Sequence, residues 1–227
     1  MKYLFTATKL SIQVHPDGEA ARRAGLPHGK DEAWYILAAE EGAVIGIGLQ
    51  RSMSKDQLRA SALDGSIEQM LDWRPVRAGD VLYAPAGTVH AIGAGISLIE
   101  VQQNLDVTYR LFDYGRDRPL QLDEALAVAD PRPLPHAPEP HAISDWRSLL
   151  CAGESFRLER WAGPHEAGLR LSGGAAWLVP LGAGLVVDGQ SIEAGSVAVI
   201  EHAAAIELAD NAQALVAYAS GTDLHVD

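Results

Sequence analysis

Apolar and polar residues alternate strictly along residues 10–15, which is the period-two pattern of a β-strand. The apolar side chains of this stretch share one face, and Ser11, Gln13 and His15 share the other. Taken alone, the segment is most simply interpreted as a surface strand whose polar face meets water. The alternative is a strand that presents three polar side chains to a functional site.

Strand-like runs and helix signals follow one another through the first half of the chain. The predicted strands are residues 34–37, 43–49, 81–84, 96–102 and 109–113. Asp17 before residues 18–24 predicts a short capped helix that ends at Gly25. Capping-box spacing occurs twice, at residues 54–57 and 66–69, and predicts two helices between residues 54 and 72.

A proline-rich stretch divides the chain. Residues 130–142 contain five prolines, a composition typical of an extended linker. Short strand-like runs separated by glycine turns follow it, at residues 176–179, 184–188, 196–200 and 215–218. We therefore expect a mostly β chain with a first domain at residues 1–130, a linker at 131–142 and a C-terminal β domain at 143–227.

Charge and composition exclude several classes of function. The net charge of −12 argues against binding nucleic acid or an anionic membrane surface through bulk electrostatics. No apolar run approaches the roughly 18–20 residues that span a bilayer, and we expect no signal peptide. A single cysteine, Cys151, permits neither an internal disulfide nor a cysteine metal cluster, and we expect a half-buried thiol. A cytoplasmic location is the default expectation.

The segment from Gly79 to His90 carries the most specific motif. It reads Gly79, five residues, Pro85, one residue, Gly87, two residues, His90, and this spacing is similar to the second cupin motif. In that motif the turn at Pro85 and Gly87 leads into a strand whose histidine points into the barrel. A histidine at this place is more often a metal ligand than a structural residue.

Several longer stretches resemble one cupin family, the type I phosphomannose isomerases. These stretches are LSIQVHPD (10–17), GKDEAWYIL (29–37), PAGTVHAIGAGISLIEVQQN (85–104) and TYRLFDYGR (108–116). The resemblance covers roughly residues 3–130, and the second half resembles the family's C-terminal β domain only loosely. It implies a cupin-type jelly-roll barrel with short helical inserts, followed by a degenerate β-sandwich or cupin domain without ligand residues.

The resemblance also implies a metal site and a substrate. Its ligands would be Gln13, His15, Glu32 and His90. Two neutral imidazoles, a neutral amide and one carboxylate leave a divalent ion with a net charge of about +1, which suits an enediolate. Zn²⁺ suits nitrogen and oxygen ligands, and Fe²⁺, Mn²⁺, Ni²⁺ and Co²⁺ are also accepted by cupin sites.

The implied reaction interconverts mannose 6-phosphate and fructose 6-phosphate through an enediol. Arg110 would lie near the reacting diol, and Arg116 with Ser11 near the phosphate, for which arginine has bidentate geometry. Lys30 and Glu100 match active-site residues of the family. The proton-transferring base is open between Lys30, Glu100 and a metal-bound water.

Family members carry several tens of residues before the strand that corresponds to residues 10–15. The sequence therefore predicts a truncated or reduced form, whose unpaired sheet edge could promote association into a homo-oligomer. It leaves three functions open: the isomerase, a non-catalytic metal-containing cupin that binds a sugar or phosphosugar, and another cupin enzyme such as an oxygenase. The last is the weakest, because such enzymes usually carry His-x-His where this chain has Gln-x-His. An isomerase assay separates the first two.

Overall fold

A computed structural model describes residues 1–136 and 139–227 as two compact units, Met1–His136 and Ala137–Asp227. The strands of the first unit are β1 (Lys2–Thr6), β2 (Ile12–Val14), β3 (Glu32–Ala39), β4 (Val44–Leu49), β5 (Leu71–Pro75), β6 (Val81–Ala84), β7 (His90–Ile92), β8 (Ile96–Gln102) and β9 (Tyr109–Phe112). Its helices are α1 (Gly18–Arg23), α2 (Lys55–Asp64), α3 (Ile67–Met70) and α4 (Leu122–Val128).

The first unit is built from two antiparallel sheets. One has the strand order β1-β8-β3-β6 and the other β5-β4-β7-β2-β9. A core of side chains from both sheets joins them, including Trp34 and Leu98 from the first and Ile45 and Ile92 from the second. The inner faces of the sheets therefore meet, as in a sandwich or closed barrel.

Helices cover the outer face of the five-stranded sheet. Ile12 and Val14 of β2 pack there in one cluster with Leu58 of α2, Ile67 of α3 and Leu126 of α4. Because side chains alternate along a strand, this packing turns the polar residues of β2 toward the interior. The interpretation of β2 as a surface strand with its polar face in water is wrong, because helices cover its apolar face, and Ser11 and His15 on its polar face are buried.

Helix ends test the capping predictions. The Asp17 side chain accepts a hydrogen bond from the N–H of Ala20 and caps α1, as predicted. Ser54 forms the predicted capping box of α2. Ser66 makes no side-chain cap, because it already has helical backbone angles and α3 is only four residues long. Helix α4 and strand β1 were not predicted.

The second unit consists of β-strands. They are β10 (His141–Ala142), β11 (Arg147–Ala152), β12 (Phe156–Ala162), β13 (His165–Ser172), β14 (Ala176–Pro180), β15 (Leu185–Val187), β16 (Gln190–Ile192), β17 (Ala198–Ile200), β18 (Ala203–Leu208), β19 (Gln213–Ala219) and β20 (Asp223–Val226). They form antiparallel sheets of order β10-β11-β12-β19-β14-β17 and β16-β15-β18-β13-β20. Trp161 and Val216 of one sheet and Leu169 and Ile206 of the other belong to a shared core. The predicted mostly β fold class is confirmed.

Both ends of the stretch predicted as a linker, residues 131–142, take part in the units. The carbonyl of Pro131 accepts from the Met53 N–H at 2.9 Å, and Leu134 packs against the core of the first unit. At the other end β10 pairs with β11. Composition missed these contacts because they use backbone groups and one leucine. Residues 137 and 138 lie outside the described residues. None of the described helices has the length and apolar character needed to cross a membrane.

Candidate metal centre

Three neighbouring strands bring polar side chains to one point of the first unit's interior. Gln13 of β2 lies directly opposite His90 of β7 on one side and Arg110 of β9 on the other. Directly paired residues of antiparallel strands share a face, so all three side chains point inward. The Gln13 amide nitrogen is 3.3 Å from Nε2 of His90, and the Ser11 hydroxyl donates to the Gln13 Oε1 at 3.0 Å.

Backbone carbonyls orient both histidines. Nδ1 of His15 lies 2.9 Å from the carbonyl oxygen of Val107, and Nδ1 of His90 lies 2.9 Å from that of Thr88. A carbonyl only accepts hydrogen bonds, so the proton of each neutral ring sits on Nδ1. Each Nε2 therefore presents a lone pair to the interior, which is the arrangement of metal-ligating histidines.

Glu32, the first residue of β3, completes the cluster from the other sheet. Its Oε1 is 3.2 Å from Nε2 of His15, and its Oε2 is 3.3 Å from Nε2 of His90. The ligand atoms of the three residues all lie within 4.8 Å of one another, and the side chains are buried. The buried Oε2 has no hydrogen-bond partner. Since lone pairs of oxygen and nitrogen face each other here, a cation between them fits the donor set.

The protonation states agree with this geometry. Burial favours the neutral form of Glu32, but its neighbours His15, His90 and Lys30 together outweigh burial and hold the pKa of Glu32 well below its usual range. Burial lowers the pKa of His90 to about 4 against the opposing charge of Glu32. At neutral pH the cluster therefore combines a carboxylate with a neutral His90 imidazole, the forms that bind metals.

Lys30 and Glu100 lie beside these groups. Nζ of Lys30 is 3.0 Å from Oε1 of Glu32 and 3.4 Å from Nε2 of His15. Glu100 of β8 is paired with Trp34 of β3 and accepts a hydrogen bond from its indole N–H at 3.2 Å. Burial, and secondly the charge of Glu32, raise the pKa of Glu100. Lys30 and Glu100, two of the three predicted catalytic residues, are thus buried.

The two arginines differ in their surroundings. The Nε of Arg110 is buried and has no hydrogen-bond partner. Arg116 instead binds the carboxylate of Asp113, through Nε at 3.1 Å and Nη2 at 2.5 Å, and donates from Nη1 to the Lys9 carbonyl at 2.9 Å. Arg116 is therefore hydrogen-bonded to Lys9, two residues before Ser11, which is the other residue expected near a phosphate.

Sequence reasoning missed the groups that hold this site in place. Asp31 accepts from the Ala86 N–H at 2.8 Å and from the Tyr83 hydroxyl at 2.9 Å, and so ties the start of β3 to the turn before β7. The carbonyls that orient the two histidines belong to Val107 and Thr88. Backbone acceptors leave no signal in a sequence. The position of Asp31 beside Glu32 was the single available hint.

Comparison with known proteins gives two kinds of match. No family model matches the chain. The mannose-6-phosphate isomerase of Streptococcus mutans is 42% identical over 125 residues, covering 52% of this chain and 39% of that protein. The mannose-6-phosphate isomerase ManA of Bacillus subtilis is 38% identical over 149 residues, covering 63% of this chain and 46% of that protein. These sequence matches thus span less than half the length of the relatives.

Solved structures extend the similarity to both units. The crystal structure of the Bacillus subtilis mannose 6-phosphate isomerase matches with a TM-score of 0.82 and 27% identity, covering 95% of this chain and 73% of that one. The chain is similar in sequence and in fold to the mannose-6-phosphate isomerases. A zinc-bound mannose 6-phosphate isomerase, at 16% identity and a TM-score of 0.69, covers 96% of this chain and 77% of that one and supports the fold alone. The predicted resemblance and the cupin-type fold are confirmed.

Proposed function

We propose that the first unit holds one divalent metal on Gln13, His15, Glu32 and His90 and isomerises mannose 6-phosphate and fructose 6-phosphate. The observation that carries the proposal is the buried, unpartnered Oε2 of Glu32 facing Nε2 of His90. A carboxylate oxygen and an imidazole lone pair at 3.3 Å repel each other unless a proton or a metal lies between them. The names of the sequence relatives support the choice of reaction.

Zn²⁺ fits this donor set, because it accepts imidazole nitrogen together with carboxylate and amide oxygen. Gln13 can offer its Oε1 after a half-turn of the amide, and the Ser11 hydroxyl can then accept a hydrogen bond from its Nε2. When bound, the metal would supply Lewis-acid polarisation of the sugar oxygens.

The chain's own residues would move the protons. The aldose loses a proton from C2 to a base and regains one at C1, while the O2 hydroxyl proton is lost and O1 is protonated. Lys30, whose Nζ is 3.0 Å from Glu32, and Glu100, whose pKa burial and the charge of Glu32 raise, are our candidates for this work. Burial raises the pKa of Glu100, which makes this carboxylate a stronger base than an exposed one.

Arg110 would stabilise the charge that develops on the sugar oxygens. It lies opposite Gln13 on the neighbouring strand, and its buried Nε lacks an acceptor that a substrate oxygen could provide. Ser11 and Arg116 would contact the phosphoryl group.

We also propose that the first unit is the metal-binding domain and the second a structural one. In the described part of the chain, the one group of three or more His, Cys, Asp or Glu side chains that could hold an ion is that of His15, Glu32 and His90. A cytoplasmic location and a homo-oligomeric state stay predictions.

The proposal is tested by metal analysis of the purified protein together with a coupled assay in both directions. We expect about one equivalent of a divalent metal and turnover that disappears on chelation and returns with Zn²⁺. Binding of the phosphosugar without turnover would favour the non-catalytic alternative. Absence of metal after incubation with Zn²⁺ would contradict the ligand assignment.

A further inference from the structure

One buried carboxylate, that of Asp113, holds two guanidinium groups. Arg116 donates to its Oδ1 from Nε at 3.1 Å and from Nη2 at 2.5 Å. Arg118 donates to Oδ2 from Nε and to Oδ1 from Nη2, each at 2.6 Å. The Asp113 side chain is only 2% exposed, whereas those of Arg116 and Arg118 are 36% and 43% exposed. The acid is thus a fixed support for two arginines that reach solvent.

Two guanidinium groups share the one carboxylate of Asp113 in this cluster. Hydrogen bonds from Arg118 and Arg116 overcome the burial of Asp113 and lower the pKa of its carboxyl, so it is ionised at neutral pH. Two guanidinium ions on one carboxylate leave one positive charge among these three side chains, and the exposed Asp117 between the two arginines balances it in the sequence. The nearby ammonium of Lys9 is already neutralised by an ion pair with Glu68.

The cluster also adjoins the candidate site. Strand β9 carries Arg110 opposite Gln13, and Asp113 follows directly after that strand. The chain then returns, because Nη1 of Arg116 donates to the carbonyl of Lys9, two residues before Ser11. The two arginines therefore lie at the end of the strand pair that carries the proposed substrate-binding residues.

Free donors remain on the arginines. A guanidinium has five N–H donors, and Arg118 uses only its Nε and Nη2 on Asp113. Among the described residues its Nη1 has no hydrogen-bond partner. A phosphoryl group, with three acceptor oxygens and up to two negative charges, matches paired guanidinium groups better than a neutral sugar does.

We propose that Asp113 is a positioning residue that holds Arg116 and Arg118 side by side, and that Arg118 is a second phosphate-binding residue. The proposal rests on the proposed function, since the phosphoryl group is that of the substrate. It gives the acidic protein a short-range means of distinguishing phosphosugars from free sugars, because long-range steering by its net charge would repel an anion.

The test measures binding of inorganic phosphate to the Zn²⁺-incubated protein by titration calorimetry, which needs no turnover. We expect Arg118→Ala to weaken phosphate binding about tenfold, the lower end of the value of a charged hydrogen bond. The matched control is Arg132→Ala, because Arg132 also forms a two-bond pair with an aspartate, Asp130, in the same unit. That pair carries no surplus charge, and its loss should leave phosphate binding unchanged.

Asp113→Asn separates positioning from simple electrostatics. The substitution removes a negative charge, so electrostatics alone would strengthen phosphate binding. If Asp113 positions the arginines, binding weakens instead, because the amide NH₂ that replaces one oxygen cannot accept from Arg118. Thermal unfolding of the variant verifies that the fold is retained.

Activity provides a second readout. In Arg118→Ala the KM for mannose 6-phosphate should rise far more than kcat falls, as expected for binding energy lost equally in the ground and transition states. A chain that turns over no substrate, but loses phosphate binding in Arg118→Ala, would refute the proposed function and keep this inference. Unchanged phosphate binding in Arg118→Ala, or tighter binding in Asp113→Asn, would overturn the inference whatever the activity.

Discussion

Each unit of the molecule buries a glutamate, and the two carboxylates have opposite surroundings. Glu159 of the second unit is fully buried and accepts hydrogen bonds from Arg147 at 2.9 and 3.0 Å, from the Trp161 indole at 2.7 Å and from the Tyr218 hydroxyl at 2.6 Å. Glu32 of the first unit faces two imidazole lone pairs, and its one partner that is always charged is Lys30.

This difference distinguishes a structural charge from a ligand-binding one. A buried carboxylate is costly unless its oxygens are paired. At Glu159 the protein supplies every partner itself, so nothing is left for a ligand. At Glu32 one oxygen lacks a partner, and the missing interaction is what a metal would provide. The buried glutamate of the second unit is thus fully paired within the protein, whereas that of the first unit has an oxygen free to bind a ligand.

The largest effect is expected at His90, which lies beside the carboxylate oxygen of Glu32 that has no hydrogen-bond partner. His90→Ala should remove the bound metal and lower turnover by at least about 10³-fold, because it deletes one ligand and the Lewis acid contributes several kcal/mol to the reaction. Metal analysis and the coupled isomerase assay measure both effects.

The control for this variant is His225→Ala, which changes an exposed histidine paired with Asp223 in the second unit. It should keep both metal and activity. If His90→Ala retains its metal, the assignment of the four ligands is wrong and the contrast with Glu159 loses its basis.

The next largest effect is expected at Glu159, whose carboxylate has hydrogen-bond partners on both oxygens. Glu159→Ala should destabilise the metal-free protein by about 3 kcal/mol, since it leaves the partly buried charge of Arg147 unpaired and the Trp161 and Tyr218 donors without their acceptor. Urea unfolding measures the loss. Metal affinity should not change, and the exposed Glu201→Ala should affect neither quantity. A small stability loss would mean that Glu159 is not the structural charge described above.

Arg110 tests whether the unpartnered donors of the first unit serve the substrate. Arg110→Ala should lower kcat by about 10²–10³-fold, the usual cost of losing one donor to a developing oxyanion, with metal content unchanged. Steady-state kinetics and metal analysis on the same preparation check this. An equal loss of metal would assign Arg110 to the architecture of the site and not to the reaction.

The smallest effect is expected at the thiol of the second unit. Burial raises the pKa of Cys151 to about 12, so below that pH the thiol stays protonated and the reactive thiolate is scarce. Labelling with a thiol reagent at pH 8 should be slow in the folded protein and fast after unfolding in guanidinium chloride. Rapid labelling of the folded protein would reveal a reactive ligand in the unit described as structural.

The sequence allowed prediction wherever the signal was local and periodic. The alternation of residues 10–15 correctly placed Ser11, Gln13 and His15 on one face, and the box at Ser54 correctly marked the start of α2. The spacing from Gly79 to His90 identified a histidine that does point inward. Glu32 follows His15 after sixteen intervening residues, and only the family resemblance indicated that it belongs to the same site.

Long-range pairing explains most of what was missed. Arg147 and Tyr218 are 12 and 59 positions from Glu159, so no window of sequence reveals their shared network. The polar face of β2 points inward because three helices pack on its other face. One of them, α4, has no side-chain N-cap, so the sequence carried no capping signal for it. From the sequence, Asp113 had no role beyond the end of a predicted strand, because its pairing with Arg116 and Arg118 depends on a turn of the chain.

The backbone anchors of the two histidines have a consequence for mutational tolerance. Val107 and Thr88 hold the imidazoles through carbonyl groups, which every amino acid possesses. Replacing the side chain at either position therefore leaves the carbonyl that fixes the tautomer and orientation of the histidine ring. A library that randomises residue 107, whose side chain is only partly buried, should yield many folded members that keep the affinity for metal. Gln13 and Glu32 contribute through side chains and should tolerate almost no replacement.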